Sequence, residues 1–334
     1  MKYKNTGTYD SPVTATFKGI SDLFKKQKKV GELKDTDRLD GMSVLITGAS
    51  SGLGFATALG LAERGARVIM ACRSGIPEKG EEIIRKSGSD LVEMVHVDLS
   101  DMESIKALVG QLKAKGIKLN MIICNAAVVP SISRKTRQGL EEMFMVNYLA
   151  KFLLIRCILD EELLVGINNK IPRIIIVSSE SHRNPKTYDW ENFGKYKDYG
   201  MNKTVELYGY YKLLLTTFVN ELSRRLNPGT LGYSVFSLCP GPVNSNIARE
   251  APKFFQPILK LVFSIFFNSP QKAAGPVLYL AASKDIESKA IDYLFMWERK
   301  DMDEKTMDEV NGKKLWQLSE GLLQELGVRF KISI

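Results

Sequence analysis

From residue 41 onward the apolar positions of this chain follow two alternating rhythms. Short continuous runs, "SVLITG", "ARVIMAC", "LVEMVHVDL", "LNMIICNA", "RIIIVSS" and "GYSVFSLCPGP", are mostly apolar and rich in β-branched residues. Such runs predict strands buried on both faces. Between them lie segments with helical spacing: "FATALGLAERG" ending at Gly65, "EKGEEIIRKSG", and "DMESIKALVGQLKAKG" with an N-cap near Ser100 or Asp101. Two longer helical segments follow, over 138–165 and 205–226. Strands and helices in alternation predict a doubly wound α/β fold, a parallel sheet with helices on both faces. Residues 41–334 read as one domain without internal repeats.

Two segments break the rhythm. Residues 1–40 are polar and carry "KKQKK" at 25–29, with Phe17, Ile20, Leu23 and Phe24 at helical spacing. They read as an extension containing a short amphipathic helix, either a solvated arm packed on the domain or a weak membrane or partner contact. The second is the segment around 246–268, where Phe254, Phe255, Ile258, Leu259, Leu261, Val262, Phe263, Ile265, Phe266 and Phe267 leave almost no polar face over 254–267. It must pack on the core, pair with a second subunit, or lie in a membrane interface. Its longest apolar run falls short of the roughly 18–20 residues that span a bilayer. No apolar core run follows the first lysines, so no signal peptide is expected.

Composition narrows the function. Apolar residues are 44% and charged residues 25% of 334, a globular balance. The net charge of +9 comes without an RNP motif, zinc knuckle or Arg-rich segment, so nucleic acid is not the expected partner. A basic face suits a phosphorylated cofactor or an anionic surface. The four cysteines, Cys72, Cys124, Cys157 and Cys239, are scattered in apolar contexts and read as buried thiols in a reducing, cytoplasmic compartment. With two histidines, His96 in a strand and His182, neither a metal site nor a Ser-His-Asp triad is well supplied.

Chemistry enters at "TGASSGLG" (47–54), where the first strand turns into the first helix. Gly48, Gly52 and Gly54 leave room for a pyrophosphate against the backbone, and the helix N-terminus offers free N–H groups. The spacing Gly-x3-Gly-x-Gly resembles that of the short-chain dehydrogenases/reductases. Further matches follow in order: "VDL" (97–99), "CNAA" (124–127), "VNYLAKFLL" (146–154), "IIVSSESHR" (175–183) and "CPGPVNS" (239–245). Cys124 and Ala127 depart from the usual Asn-Asn-Ala-Gly, and Ser245 stands in the threonine place. The resemblance covers roughly 41–330. "VIMACRS", "SPQKAAGPVLYLA" and "KKLWQLSEGLL" point to the retinol dehydrogenase and WW-domain oxidoreductase branch, with protochlorophyllide reductases nearby.

The resemblance implies a Rossmann-type fold of about seven strands. It implies a dinucleotide held by Thr47, Gly48, Ser50, Ser51, Gly52, Leu53, Gly54, Asp98, Leu99, Asn125, Ala126, Pro240, Gly241, Val243 and Ser245. At the end of the second strand the chain reads Ala71-Cys72-Arg73-Ser74, with no carboxylate for a ribose 2′-OH. Arg73 suits a 2′-phosphate instead, which favours NADP(H) over NAD(H).

Reducing a carbonyl by hydride requires an acid at its oxygen. A tyrosine serves if an ammonium one helical turn away lowers its pKa, which Tyr-x3-Lys achieves on a helix. Two such pairs exist, Tyr199/Lys203 in a stretch that reads as loop, and Tyr208/Lys212 opening a continuous helix. The helix selects Tyr208 and Lys212. By resemblance Ser179 orients the substrate oxygen and Asn147 holds a water leading to Lys212. Tyr211, where a small residue is usual, either crowds the nicotinamide side or enters the core. The expected function is an NADP(H)-dependent oxidoreductase acting on a hydrophobic alcohol or carbonyl, retinoid-, steroid- or lipid-like, with 246–268 as substrate lid. Rival readings are a double-bond reductase and a dinucleotide-binding regulatory or scaffold protein without catalysis.

Overall fold

The computed structural model describes residues 29–243 and 269–334. The N-terminal arm through Lys28, Ser245 and the apolar segment 246–268 lie outside them.

Strand β1 (Ser43–Thr47) leads into helix α1 (Gly52–Glu63), then β2 (Arg67–Cys72), α2 (Glu78–Ser87), β3 (Val92–His96), α3 (Met102–Ala114) and β4 (Met121–Cys124). The expected cap is at Asp101, whose side chain accepts from the Glu103 N–H. A short helix α4 (Glu142–Phe144) runs through a π-helical turn, Met145–Leu149, into α5 (Ala150–Asp160). Strand β5 (Arg173–Val177), a 3₁₀ turn (Glu180–Arg183), α6 (Met201–Leu226) and β6 (Ser234–Cys239) follow. The chain closes with α7 (Pro270–Ala282), β7 (Ile291–Phe295), β8 (Glu298–Arg299), α8 (Glu304–Met307) and α9 (Glu309–Glu325).

Among the described residues the strands form one eight-stranded sheet in the order β3-β2-β1-β4-β5-β6-β7-β8. All neighbours are parallel except β7 and β8, a two-residue antiparallel edge too short to register as a sequence pattern. Continuous apolar strands demand cover on both faces. One core lies between the sheet and α3, α5, α6 and α9, centred on Phe152, Phe218 and Trp316. The other lies under α1 and α7 and includes Ala58, Leu61, Val277 and Leu280. Buried Arg173, at the start of β5, donates to the carbonyls of Leu280, Ala281 and Ser283 and so caps the C-terminus of α7. Cys72, Cys124 and Cys239 are buried free thiols and Cys157 is partly buried. No helix among the described residues is long and apolar enough to cross a membrane.

Two expectations shift. The helix expected over 138–165 is shorter and is interrupted at Asn147 by the π turn, which side-chain periodicity does not reveal. Helix α6 starts at Met201, so Lys203 is helical after all while Tyr199 stands before the helix. The polar stretch "KDYGMNK" hid a start that tertiary contacts stabilise: Thr204 Oγ1 donates to the Pro130 carbonyl.

Candidate active site

The carboxyl ends of β1, β2, β4, β5 and β6 open into one cleft of about 420 Å³. It straddles the reversal of strand order between β1 and β4, where open α/β sheets leave a crevice.

The glycine turn forms one wall. Gly48 adopts φ +66°, and a Cβ on Gly54 would lie 2.3 Å from the Gly48 carbonyl oxygen. Asn125 Nδ2 donates to the carbonyls of Thr47 and Gly48 at 3.0 and 3.1 Å. Thr47 Oγ1 accepts from the N–H groups of Asn125 and Ala126. Thr47 therefore staples β1 to β4 from behind and does not line the cleft. Ser51 makes no side-chain cap on α1, whose first turn has no acidic residue. The first-turn residues Gly52, Leu53 and Gly54 line the cleft beside Ser50 and Ser51, so unsatisfied N–H groups and the positive helix end face it. Beyond them Arg73, 50% exposed, places Nη1 4.0 Å from Asp98 Oδ2, with Leu99 alongside. The other Asp98 oxygen accepts from the Ser100 N–H and hydroxyl.

Ser179, Tyr208 and Lys212 converge on the opposite wall with Pro240, Gly241 and Val243. Lys212 is 1% exposed; its Nζ donates to the Val177 carbonyl at 2.9 Å and lies 5.5 Å from the centre of the Tyr208 ring. Burial pushes this ammonium down to about 7, helped by Lys151 and opposed by Cys239. Burial also raises the Tyr208 phenol, while Ser179 favours its ionised form by hydrogen bonding. The phenol is therefore raised by burial and by Cys239 rather than lowered by Lys212, because desolvation penalises both charged forms. The 3₁₀ turn after Ser179 is fixed by His182, whose Nδ1 donates to the Ser179 carbonyl at 2.7 Å while Nε2 accepts from the Asp303 N–H at 3.3 Å.

Asn147 is fully buried behind the cleft. Its Oδ1 accepts from the Val128 N–H at 2.9 Å and its Nδ2 donates to the Val128 carbonyl at 2.8 Å. Both ends of the amide thus clasp the Val128 main chain. Tyr211 enters the core, 5.6 Å from the Phe144 ring, and does not line the cleft. Tyr210 exchanges hydrogen bonds with the Asp189 main chain. The rival Tyr199 is buried and donates to Glu141 Oε1 at 2.9 Å. Among the tyrosines of "YGYYK", only Tyr208 reaches the cleft. The long connection from Ser179 to α6 is anchored by the Tyr188 hydroxyl on Thr217 Oγ1 at 2.7 Å and by Phe193 against Phe144.

Sequence reasoning missed Arg134 and Glu142, which line the cleft and pair at 3.4 Å. It also missed the wall formed by Val128, Val129, Val146 and Val177 and the thiol of Cys239. The loop that carries Arg134 has no motif; a buried lysine within "VNYLAKFLL" was the one legible oddity nearby.

A family model described as short chain dehydrogenase matches residues 42–189. Mouse retinol dehydrogenase 14 is 33% identical over 302 residues, spanning 86% of this chain and 87% of its own length. Human WW domain-containing oxidoreductase is 33% identical over 297 residues, 85% of this chain and 69% of that one. A crystal structure of an uncharacterised protein from Mycobacterium paratuberculosis superposes with a TM-score of 0.67 at 26% identity, over 90% of this chain and all of that one. A protein assigned as a short chain dehydrogenase from Escherichia coli CFT073, complexed with NADPH, superposes with a TM-score of 0.60 at 18% identity, over 79% and 99% of the two chains.

Proposed function

Because the chain belongs to the short-chain dehydrogenases/reductases, in the retinol dehydrogenase-like branch, and is an oxidoreductase of that family, we propose that it interconverts a hydrophobic alcohol and its ketone or aldehyde with NADP(H). The observation that carries this reading is the convergence of Ser179, Tyr208 and Lys212 on the wall facing the uncapped end of α1.

The residues fit a nicotinamide dinucleotide. The free N–H groups of α1 and the close approach at Gly54 suit a pyrophosphate. Asp98 and Leu99 suit the adenine end and Arg73 a 2′-phosphate, with no carboxylate directly following β2. When bound, the nicotinamide supplies or receives the hydride.

The chain's own residues handle the substrate oxygen and its proton. Ser179 holds the oxygen by a hydrogen bond. Tyr208 donates its proton to that oxygen in reduction and takes it back in oxidation. Lys212, under the Tyr208 ring, favours the phenolate electrostatically once the cleft is filled. Asn147 acts through Val128, fixing the wall behind the reacting carbon. The valines at this end exclude water and suit an apolar substrate, as the retinol dehydrogenase relatives lead one to expect.

The test is NADPH oxidation against retinal, steroid ketones and long-chain aldehydes, repeated with NADH. At least one carbonyl should turn over, faster with NADPH. Tyr208→Phe should lower kcat by at least about 10²-fold, the loss of a general acid, with NADPH binding by fluorescence nearly intact. Full turnover by that variant would overturn the assignment.

A further inference from the structure

Among the described residues a second lysine is buried as deeply as Lys212. Lys151 lies on α5 and is 1% exposed. Its Nζ donates to the Val146 carbonyl at 2.8 Å, inside the π turn that carries Asn147. The titratable groups that face it are Cys124 from β4 and Lys212 from α6. Lys212 in turn faces Tyr208 on its own helix and Cys239 from β6; Glu180, from the 3₁₀ turn, reaches Cys239. Both thiols are held protonated by burial, so no carboxylate among these groups neutralises Lys151. The two ammoniums hold neighbouring parts of one wall: Lys151 donates to the Val146 carbonyl and Lys212 to the Val177 carbonyl, and both valines line the cleft.

A buried ammonium without a counter-ion is costly, and a methionine of similar length would fill the space. Such a cost beside a proton-transfer pair points to use of the charge. We propose that Lys151 is a positioning residue for Tyr208 and Lys212: its ammonium stands as a second positive charge behind the pair and favours release of the pair's proton. This rests on the reading of Tyr208 and Lys212 above. Two like charges in one apolar pocket hold their protons less tightly than either alone. Lys151 is itself pushed down to about 8, chiefly by burial, and it is the second cause after burial of the low value at Lys212. In the alcohol-oxidising direction, the ionised phenol that accepts the substrate proton is then reached at lower pH.

The test uses Lys151→Met and Lys151→Gln. Both remove the charge, and glutamine keeps a donor for the Val146 carbonyl. In full-length protein labelled with ¹³Cε-lysine, without cofactor, the Lys212 signal is identified through Lys212→Met. Its titration midpoint should rise by on the order of one pH unit in both variants. The rising limb of the pH profile for NADP-linked oxidation of the alcohol partner of whichever carbonyl turns over should move the same way. An unmoved Lys212 midpoint, or wild-type behaviour of Lys151→Gln, would overturn the proposal and show a structural hydrogen bond only. Absence of turnover on the whole panel in wild type would instead sink the functional reading, while the titration still judges Lys151.

Discussion

At the scale of single residues, the two Tyr-x3-Lys pairs separate by what their phenols touch. The Tyr208 hydroxyl end faces the cleft beside Ser179, whereas Tyr199 points into the protein and donates to Glu141. Glu141 also accepts from the Phe144 N–H at 2.8 Å, and burial pushes its carboxyl up. Removing the Tyr199 hydroxyl leaves a buried carboxylate short of a donor. Tyr199→Phe should therefore cost about 1–3 kcal/mol of stability while kcat stays within about twofold, the reverse of the outcome set out for Tyr208→Phe. Urea denaturation and turnover on the same preparations decide this. A large loss of kcat without a loss of stability would mean that the wrong tyrosine had been chosen.

At the scale of elements, the sequence made the strands and the glycine turn plain because parallel strands are continuous apolar runs and the turn has a fixed spacing. It hid what arises between elements. The π turn at Asn147 has no side-chain period of its own, and the start of α6 is set by contacts with Pro130, far away in sequence. Arg134 meets the cleft, and Glu142 at the start of α4, through a loop whose path no local pattern encodes. Gly209 shows the same limit: in the sequence it is a helix-weakening residue beside Tyr208, and in space it lets α6 lie against the Ser179 turn. A Cβ there would lie 3.0 Å from the Ser181 carbonyl oxygen, closer than that main-chain atom can tolerate without shifting. Gly209→Val should push Tyr208 away from Ser179. Misplacement by about 1 Å costs on the order of 10²-fold in rate, so kcat should fall at least about tenfold with NADPH affinity retained. Unchanged kcat would show that the helix–turn spacing is not what positions the pair.

At the scale of the molecule, the last part of the chain is tied to the catalytic end of the sheet through His182. Its ring bridges the Ser179 carbonyl and the Asp303 N–H, and Arg183 donates to the Asp301 carbonyl at 2.5 Å. The bridge needs a neutral imidazole, because Nε2 must accept. Burial pushes His182 down from 6.5 to about 4, with Glu180 opposing. The sign of the pH effect follows from that lowering. Between about 6.5 and about 4 the unfolded chain takes up a proton that the folded one cannot, so stability falls as the pH falls through this window and is fully present above it. The carboxyl of Glu141, raised by burial, works with the opposite sign, so the variant must be compared with wild type at each pH. The wild-type urea midpoint should drop between about pH 7 and about pH 5, and His182→Asn should be less stable at the upper pH but drop less. Equal drops in the two proteins would mean that His182 is not the group taking up the proton. Its bond to Asp303 would then be a contact of the fold without a pH-dependent part in holding Ser179.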